Sequence, residues 1–473
     1  MIAERVEDSA SAVQITACLI SHTNAGKTSL IRTLLRRDVG EVRDEPHVTL
    51  QVDAHVWLTD TEGDSLVLLD SPGLGDSVRL TARLAGLPDA IGWLIGQTWD
   101  RWRDPVFFLS QQALRAARER ADLVLYVVNA LEHPDEAGYL SPELKLLEWL
   151  GHPVIAVLNQ TGPDSSDVSD RHLSAWNRRL SESRAVRAVT TLDAFCRSHL
   201  HEHALLETLE GLVPDSHQSA MRRLRLQWES QARTNFDQGT KLLARLFVDL
   251  ARMSFAADTE QQARDALSKA VSAARRQYAS DLLLLHGLEG YGEHPLIGLA
   301  ANSVDARLPV NRVRAGLLGA LTSGLASGAA ADLAAGGLTL GAGAVLGAAL
   351  GAVSFTLAAA GINQARNSRQ PSVTLTDTML LQLIEDAVVR ALAVAHFGRA
   401  RGRFDEPEVI ARWRAAASVG VGAHQSDLMQ VAARIQQSDQ LSDAASNECA
   451  AVLIRCWRSL YPAAELDWIR AAG

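Results

Sequence analysis

Eight residues near the start of the chain have the types and spacing that bind a chain of phosphates. They run from Ser21 to Thr28 and read Ser-His-Thr-Asn-Ala-Gly-Lys-Thr. In such a loop, backbone N–H groups at a helix N-terminus wrap the phosphates, a Lys reaches their oxygens and a hydroxyl ligates Mg²⁺. Gly26, Lys27 and Thr28 supply these parts, and Ser21 stands where the usual pattern begins with Gly. The segment therefore predicts a phosphate-binding loop.

A second segment has the chemistry of a partner to this loop. The apolar run 66–69 leads into Asp70, Ser71, Pro72 and Gly73. In nucleotide-binding sites of this kind, the Asp holds Mg²⁺ through water and the Gly N–H meets the γ-phosphate. The two segments together predict a site for a nucleoside triphosphate with its metal.

The elements that must position these residues follow from hydrophobic patterning. Residues 13–20, 122–129 and 153–160 are apolar enough for buried parallel strands, and residues 142–150 have helical spacing. Strands and helices alternate at the spacing of βα units. We therefore predict an α/β fold with a mostly parallel sheet and helices on both faces.

With these residues in view, the chain resembles the Era/TrmE-like GTPases, whose loops read N-x-G-K-[ST] and D-T-P-G. The matching residues are Asn24 to Thr28 and Asp70 to Gly73. The resemblance implies a P-loop GTPase domain over residues 1–213 that binds GTP or GDP with Mg²⁺ and hydrolyses GTP. The layout of the whole chain is similar to a proteobacterial branch of these GTPases that carries a helical C-terminal domain of unknown function.

The resemblance also assigns roles to individual residues. Those implied in catalysis are Lys27, Asn24 and Gly73, and those implied in metal binding are Thr28, Thr49 and Asp70. Thr59 or Thr61 could take the place of Thr49. The residues implied in nucleotide binding are Asn24, Ala25, Gly26, Lys27, Thr28, Ser29, Asp70, Gly73, Asn159, Gln160 and Asp193.

Recognition of the base departs from the family pattern. The family expects N-K-x-D after the fifth strand, and this chain has Asn159, Gln160, Thr161 and Gly162. The carboxylate that would accept hydrogen bonds from guanine is therefore missing. Either Asp164 or Asp193 could substitute, although the first also suits a solvated turn. Guanine specificity stays open at this stage.

Two positions bear on how hydrolysis would proceed. Leu74 follows Gly73 where Ras-type enzymes carry a water-orienting Gln, so the reaction has to be completed in another way. Asn24 matches the position that helps to hold a K⁺ ion beside the phosphates in potassium-activated members of the family. The alternative role for Asn24 is a hydrogen bond within its own loop.

Residues 76–121 make the domain longer than a minimal one and contain clustered aromatic and Arg side chains. An aromatic and Arg cluster could stack on nucleic-acid bases. Since no stripe of positive charge accompanies it, we interpret this segment as an extended switch region that packs on the sheet or meets a partner, which includes a second copy of the chain. The aromatic residues are Trp93, Trp99, Trp102, Phe107 and Phe108.

Composition limits the remaining classes. A chain of 473 residues with 47% hydrophobic content has material for two or three domains. A formal net charge of −9 argues against a protein built mainly to bind nucleic acid. Residues 1–8 are charged and lack the apolar run of a signal peptide, so we expect the nucleotide domain in the cytoplasm.

Helical spacing dominates beyond residue 213, with no convincing strands, and predicts helical regions at 214–314 and 362–473. Between them, residues 315–361 contain 11 Gly, 16 Ala and one charged residue, Asp332. A turn near residue 336 leaves legs of 20 and 24 residues, against roughly 20 needed to cross a bilayer. Gly-x-x-x-Gly faces and flanking Arg residues favour a membrane hairpin. The alternative is a glycine-lined helix pair inside a soluble domain.

These observations predict a membrane-associated GTP-binding protein that hydrolyses GTP. It would relay its nucleotide state to a helical, membrane-contacting domain or to a membrane-protein partner at the inner membrane. One alternative is a nucleotide-responsive scaffold or regulator of a membrane protein that barely hydrolyses. Another is a dynamin-like membrane remodeller.

Overall fold

The computed structural model describes residues 12–39, 51–85, 103–161, 167–288, 372–400, 407–437 and 443–460. The chain divides into two compact units. The first contains Met1–Ala232 and His396–Arg403, and the second contains Arg233–Ala395 and Phe404–Gly473. The first unit thus takes up a short stretch from the C-terminal part of the chain, in addition to the expected nucleotide domain at 1–213.

A six-stranded sheet forms the centre of the first unit, in the order β2-β3-β1-β4-β5-β6. Strand β2 is antiparallel to β3, and all the other pairs are parallel. The carboxyl ends of β1, β3, β4, β5 and β6 therefore lie at one edge of the sheet. The strands are β1 (Gln14–Ser21), β2 (Asp53–Thr59), β3 (Ser65–Asp70), β4 (Leu123–Asn129), β5 (Val154–Asn159) and β6 (Val186–Thr191).

The central strands are mostly apolar and buried, as is typical of parallel strands covered by helices on both faces. Ile20, Leu69, Tyr126 and Leu158 are among the buried side chains of one continuous core. The helices that the described residues form around the sheet are α1 (Lys27–Leu35), α2 (Ser77–Ala85), α3 (Pro105–Arg120), α4 (Leu140–Leu150), α5 (Asp167–Leu180) and α6 (His199–Leu212). The predicted α/β fold with a mostly parallel sheet is confirmed.

The second unit is mainly helical among the described residues. The boundary between the units falls within the 38-residue helix α7 (Asp215–Arg252). Helix α8 begins with a capping box, in which Thr259 and Gln262 satisfy each other's backbone N–H groups. The remaining helices are α8 (Glu260–Leu285), α9 (Asp377–Ala395), α10 (Pro407–Ala423), α11 (Gln425–Gln437) and α12 (Asp443–Leu460).

One small sheet departs from the expectation of no strands beyond residue 213. Strand β7 (Ser254–Ala256) pairs with β8 (Ser372–Thr374) in an antiparallel arrangement. Each strand has three residues, which is too short for alternation of polar and apolar side chains to appear as a pattern. The predicted helical character of this region is otherwise confirmed.

The predicted hairpin at 315–361 lies outside the described residues. Within the part of the chain that the structure describes, no helix is both long enough and apolar enough to cross a bilayer.

Candidate functional site

Gly26 closes the loop between β1 and α1. Its φ is 89°, in the left-handed region that Gly adopts without strain. A Cβ atom here would lie 2.6 Å from Asn159 Nδ2, so the approach of the β5 end also requires Gly. Asn24 has a φ of 65°, which Asn tolerates better than most residues. The loop therefore makes the tight turn that directs the chain into the helix.

Lys27 is the first residue of α1, and its ammonium group lies inside the loop. Lys27 Nζ donates a 2.8 Å hydrogen bond to Ser21 Oγ. Both side chains are buried. Burial lowers the pKa of the Lys27 ammonium, and the nearby Asp70 charge opposes that shift. Ser21, which replaces the first Gly of the usual pattern, thus provides a partner for the lysine that Gly could not.

The N-terminus of α1 begins at this lysine. Its N-cap residue, Gly26, has no side chain that could cap the helix. The first N–H groups of a helix have no intrahelical acceptor, and the positive end of the helix dipole lies at the same place. This end therefore attracts an anion, and residues Ala25 to Ser29 occupy it.

Thr28 and Asp70 come together at the carboxyl ends of β1 and β3. Thr28 Oγ1 donates a 2.6 Å hydrogen bond to Asp70 Oδ2. The other carboxylate oxygen, Asp70 Oδ1, is buried and accepts no hydrogen bond from the described residues. Burial raises the pKa of the Asp70 carboxyl, and the Thr28 hydroxyl and the Lys27 charge oppose that effect. Mg²⁺ prefers hard oxygen ligands, and this site offers a hydroxyl beside a carboxylate oxygen that accepts no hydrogen bond from the described residues.

Gly73 and Leu74 pack directly against the phosphate-binding loop. A Cβ atom on Gly73 would lie 2.9 Å from the Cα of Thr23, so only Gly allows this contact. Leu74 N donates a 2.9 Å hydrogen bond to the Ser21 carbonyl, and the Leu74 side chain is fully buried. The apolar Leu74 side chain cannot orient a water molecule.

Asn159 joins the phosphate-binding loop to the loop that follows β6. Its Nδ2 donates a 2.8 Å hydrogen bond to the Ala25 carbonyl, and its Oδ1 accepts a 2.9 Å hydrogen bond from Ala194 N. Asn159 is fully buried. Its neighbour Gln160 has a φ of 58°. The structure thus brings these predicted base-side residues next to the phosphate side of the site.

Asp193 lies in the same loop as Ala194, and its carboxylate is engaged locally. Asp193 Oδ1 accepts a 2.7 Å hydrogen bond from Phe195 N, and Oδ2 lies 3.5 Å from Thr161 Oγ1. Burial raises the pKa of this carboxyl, and the backbone donors oppose the shift. Its rival Asp164 lies outside the described residues, as does Gly162.

Glu143 is a residue near the site that sequence reasoning missed. It lies on α4, has no exposed surface, and accepts a 2.7 Å hydrogen bond from the Tyr126 hydroxyl. Its Oε1 is 2.9 Å from Nδ1 of His22, within the phosphate-binding loop. Burial raises the pKa of the Glu143 carboxyl, against the hydrogen bonds from His22 and Tyr126. No motif marks this position, since Glu on a helix usually lies on a solvated face.

Residues 76–85 and 103–121 of the segment 76–121 are described, and they include a buried aromatic side chain. Phe107 is buried, and the guanidinium groups of Arg79 and Arg83 lie 4.1 and 4.9 Å from the centre of its ring. Phe107 belongs to the same buried core as the central strands. The predicted metal ligand Thr49 and the residues Trp93, Trp99 and Trp102 lie outside the described residues.

Two family models match the chain. The first, described as 50S ribosome-binding GTPase, matches residues 16–160. The second, described as Domain of unknown function (DUF3482), matches residues 179–454. No curated protein matches this chain significantly.

Similar solved structures include GTP-binding proteins. A variant of Era from Aquifex aeolicus bound to GDP and aluminium fluoride has a TM-score of 0.33 at 13% identity, covering 58% of this chain and 90% of that one. Era with MgGDPNP and a segment of 16S ribosomal RNA has a TM-score of 0.33 at 14% sequence identity, and it also covers 58% of this chain and 90% of that one. SelB from Methanococcus maripaludis with a GTP analogue has a TM-score of 0.24 at 17% sequence identity, covering 38% of this chain and 30% of that one.

The family matches confirm the predicted P-loop GTPase domain followed by a helical C-terminal domain. They locate the phosphate-binding loop, Asp70 and Asn159 within one GTPase domain. The GTPase match ends at Gln160, before Asp193.

Proposed function

Because the chain belongs to the family described as Domain of unknown function (DUF3482) and carries a P-loop GTPase domain, we propose that its GTPase cycle drives a helical domain that acts at a membrane. The observation that supports the nucleotide site most strongly is the buried Asp70 Oδ1. This oxygen has no donor among the described residues and lies beside a hydroxyl and an ammonium group. A buried carboxylate oxygen without a partner is costly unless a ligand satisfies it.

In this proposal the phosphates lie at the N-terminus of α1. The backbone of Ala25 to Ser29 and the Lys27 ammonium bind the β- and γ-phosphates. Thr28 and Asp70 hold Mg²⁺, with Thr49 as the third residue that completes the metal site. Mg²⁺ supplies charge neutralisation at the phosphates.

Hydrolysis then depends on groups other than the side chain that follows Gly73. The Gly73 N–H would bind the γ-phosphate, and Asn24 would hold a K⁺ ion, which would supply positive charge beside the phosphates. The position of Asn24 in the left-handed turn beside Gly26 supports this role, because its side chain belongs to the loop that surrounds the phosphates.

The base lies between the ends of β5 and β6. Asn159 and Gln160 border this place, and Asp193 directly precedes Ala194, whose N–H donates to Asn159 Oδ1. GTP is the preferred nucleotide in this proposal. Its advantage over ATP is smaller than in GTPases with a carboxylate two residues after Gln160.

The helical part of the chain receives the nucleotide state and passes it to the membrane. Residues 315–361 form the membrane hairpin of this proposal, with the Arg residues on both sides of it in the cytoplasm. Deletion of 315–361 is expected to move the protein from the membrane fraction to the soluble fraction while GTP binding persists. A full-length protein that stays soluble without detergent would contradict the membrane role.

A second candidate function is a scaffold that binds nucleotide and barely hydrolyses it. The buried Leu74 favours this candidate, because no water-orienting side chain follows Gly73. Single-turnover hydrolysis separates the two candidates, since a scaffold leaves bound GTP intact for many minutes. Hydrolysis that rises with added lipid vesicles, together with nucleotide-dependent assembly, would support a membrane remodeller instead.

The proposal as a whole is tested by the nucleotide that copurifies with the full-length protein. We expect GDP or GTP in the denatured supernatant by ion-exchange chromatography. The Lys27→Ala protein, purified in parallel, is expected to carry none. Adenine nucleotide in the wild-type protein would overturn the assignment of the base.

A further inference from the structure

Residues His396–Ala400, here called the returning segment, follow α9 in the chain but belong to the first compact unit. They run antiparallel to the loop after β6, with Phe397 opposite Cys196. Three backbone hydrogen bonds join the two stretches: Arg197 N to the His396 carbonyl (3.0 Å), Gly398 N to the Phe195 carbonyl (3.1 Å) and Ala400 N to the Ala194 carbonyl (3.0 Å). The returning segment thus covers the loop that contains Asp193.

Gly398 allows this contact because it has no side chain. A Cβ atom at this position would lie 2.2 Å from the Ala194 carbonyl oxygen and 2.3 Å from the Phe195 carbonyl carbon. Both atoms belong to the backbone and cannot turn aside as a flexible side chain could. Any larger residue at position 398 must therefore push the loop and the returning segment apart.

A single hydroxyl ties the returning segment to the phosphate-binding side of the site. Thr33, on α1, has its Oγ1 2.9 Å from the Ala194 carbonyl oxygen and 3.1 Å from the Ser29 carbonyl oxygen. The shorter contact favours donation to Ala194, and the same Oγ1 accepts a 2.7 Å hydrogen bond from Arg399 N. Thr33 is buried. The helix that begins at Lys27, the loop after β6 and the returning segment therefore meet at one side chain.

His396 fixes the other end of the segment. Its Nδ1 lies 2.8 Å from the Arg197 carbonyl oxygen, which can only accept, so Nδ1 carries the donated proton. Burial lowers the pKa of His396, which favours the neutral ring. The segment is thus held at both ends by hydrogen bonds to the same loop.

From this loop, two hydrogen bonds lead to the phosphate-binding loop. Ala194 N donates to Asn159 Oδ1, and Asn159 Nδ2 donates to the Ala25 carbonyl. Ala194 therefore contacts the returning segment through its carbonyl and the base-side Asn through its N–H. A shift of this residue moves the groups that border the place of the base.

We propose that the returning segment is a positioning element for base recognition, in which Gly398 and Thr33 hold the loop after β6 at the distance needed to bind guanine. This inference rests on the proposed nucleotide site and adds a part of the chain to it. The contact with the base is the same in the ground state and the transition state. Its loss therefore weakens GTP binding and leaves the chemical step unchanged.

The first test is Gly398→Ala in the full-length protein, with Gly211→Ala as the matched control. A Cβ atom on Gly211 meets nothing within 4 Å, so the control adds the same methyl group without a clash. Single-turnover hydrolysis over a range of protein concentrations gives the GTP affinity and the rate of the chemical step separately. We expect Gly398→Ala to weaken GTP affinity about tenfold or more with a rate at saturation within about twofold of wild type. Gly211→Ala should match wild type in both.

The second test removes the Thr33 hydroxyl, and it remains informative even if the Gly398→Ala protein does not fold. Thr33→Val keeps the shape of the side chain and removes the hydroxyl, whereas Thr33→Ser keeps the hydroxyl. We expect Thr33→Val to weaken GTP affinity and Thr33→Ser to restore it to near the wild-type value. Circular dichroism of each variant checks that its folded fraction matches wild type, because a loss of folded protein would raise the apparent half-saturating protein concentration in the same way as weaker affinity.

The outcomes separate this inference from the nucleotide site itself. Unchanged GTP affinity in Thr33→Val, or an equal effect in Gly211→Ala and Gly398→Ala, would overturn the positioning role alone. A wild-type protein that binds no GTP would overturn the proposed nucleotide site and the inference with it. Weakened affinity at an unchanged chemical rate in both Gly398→Ala and Thr33→Val would establish the role.

Discussion

The Thr28 hydroxyl donates a 2.6 Å hydrogen bond to Asp70 across 42 residues of sequence. One residue belongs to the phosphate-binding loop and the other to the end of β3, so the contact exists only because β1 and β3 are parallel neighbours in the sheet. The bond occupies Asp70 Oδ2 and leaves Oδ1 without a donor among the described residues. The pair therefore offers a hydroxyl and a carboxylate oxygen, which are ligands that a hard cation prefers.

The first prediction concerns this pair. Thr28→Ala should weaken GDP binding in the presence of Mg²⁺ and reduce the difference between affinities measured with Mg²⁺ and with EDTA, because one metal ligand is lost. Calorimetric titration in both buffers measures this difference. Thr28→Ser keeps the hydroxyl, so this variant should retain the wild-type difference between the affinities measured with Mg²⁺ and with EDTA. If Thr28→Ala responds to Mg²⁺ as wild type does, the metal role of this residue is wrong.

Lys27 gives the second prediction. Lys27→Ala should reduce GTP affinity at least about a hundredfold, since the ammonium group neutralises the β- and γ-phosphate charges. Calorimetry with GTP measures the loss, and circular dichroism checks that the fold persists. Lys145→Ala serves as the control, because Lys145 is an exposed lysine on α4. Undiminished GTP binding in Lys27→Ala would contradict the assignment of the loop.

The third prediction addresses the base. GTP should displace a fluorescent guanine nucleotide more effectively than ATP, although the missing carboxylate at Gly162 makes the difference smaller than in GTPases that retain it. Asp193→Ala should reduce this preference if its carboxylate has taken over the role, whereas Asp164→Ala should do so if that residue has. Equal competition by ATP in the wild-type protein would remove the preference for guanine.

The fourth prediction concerns monovalent ions. Hydrolysis should be faster in K⁺ than in Na⁺, and Asn24→Ala should abolish the difference. Asn24 has a left-handed backbone, so Ala adds strain there as well as removing the amide. Asn24→Gly removes the amide without that strain and should behave like Asn24→Ala toward the two ions. Wild-type rates that are equal in both salts would leave Asn24 a structural role only.

The fifth prediction uses the buried Glu143. Its pKa is raised in the folded protein by burial, so the folded state holds a proton that the unfolded state has released above a pKa of about 4.3. The free energy of unfolding therefore falls as pH rises from about 4.3 toward the raised pKa of Glu143, by at most about 1.4 kcal/mol per pH unit. The Glu143→Gln variant has no carboxyl group at this position to ionise. The difference between its free energy of unfolding and that of wild type should therefore shift in favour of the variant as pH rises.

Hydrogen-exchange mass spectrometry of peptides from β4 and α4, across a urea series at several pH values, measures this stability. Tyr126→Phe removes a donor that lowers the pKa of Glu143, so the decline should extend to higher pH in that variant. Parallel pH profiles for wild type and Glu143→Gln would contradict the prediction.

Much of the fold followed from local sequence patterns. The strands that carry the site are continuous apolar runs, and Lys27, Thr28 and Asp70 stand at fixed offsets from their ends. Such signals lie within a few residues of each other, so a single sequence contains them. Asn159 stands at the end of such a run, although its bonds to Ala25 and Ala194 become visible only in the folded chain.

The parts that escaped prediction depend on contacts between distant residues. Glu143 reaches His22 across 121 residues, and Arg399 reaches Thr33 across 366. Neither pair leaves a periodic pattern, because the position of each partner is fixed by packing of the whole unit. Gly398 in particular has the appearance of an ordinary loop glycine until the carbonyl of Ala194 is placed beside it.

The separation of 199 residues between Arg197 and His396 has a consequence during synthesis. At about 5–20 residues per second, roughly 10–40 s pass between the emergence of the two residues from the ribosome. For that interval the nascent chain lacks the returning segment, whose backbone hydrogen bonds join the loop after β6 in the complete protein. A fragment cut after residue 213 keeps this unfinished form permanently. The first compact unit of this protein is therefore encoded by two separate stretches of its gene.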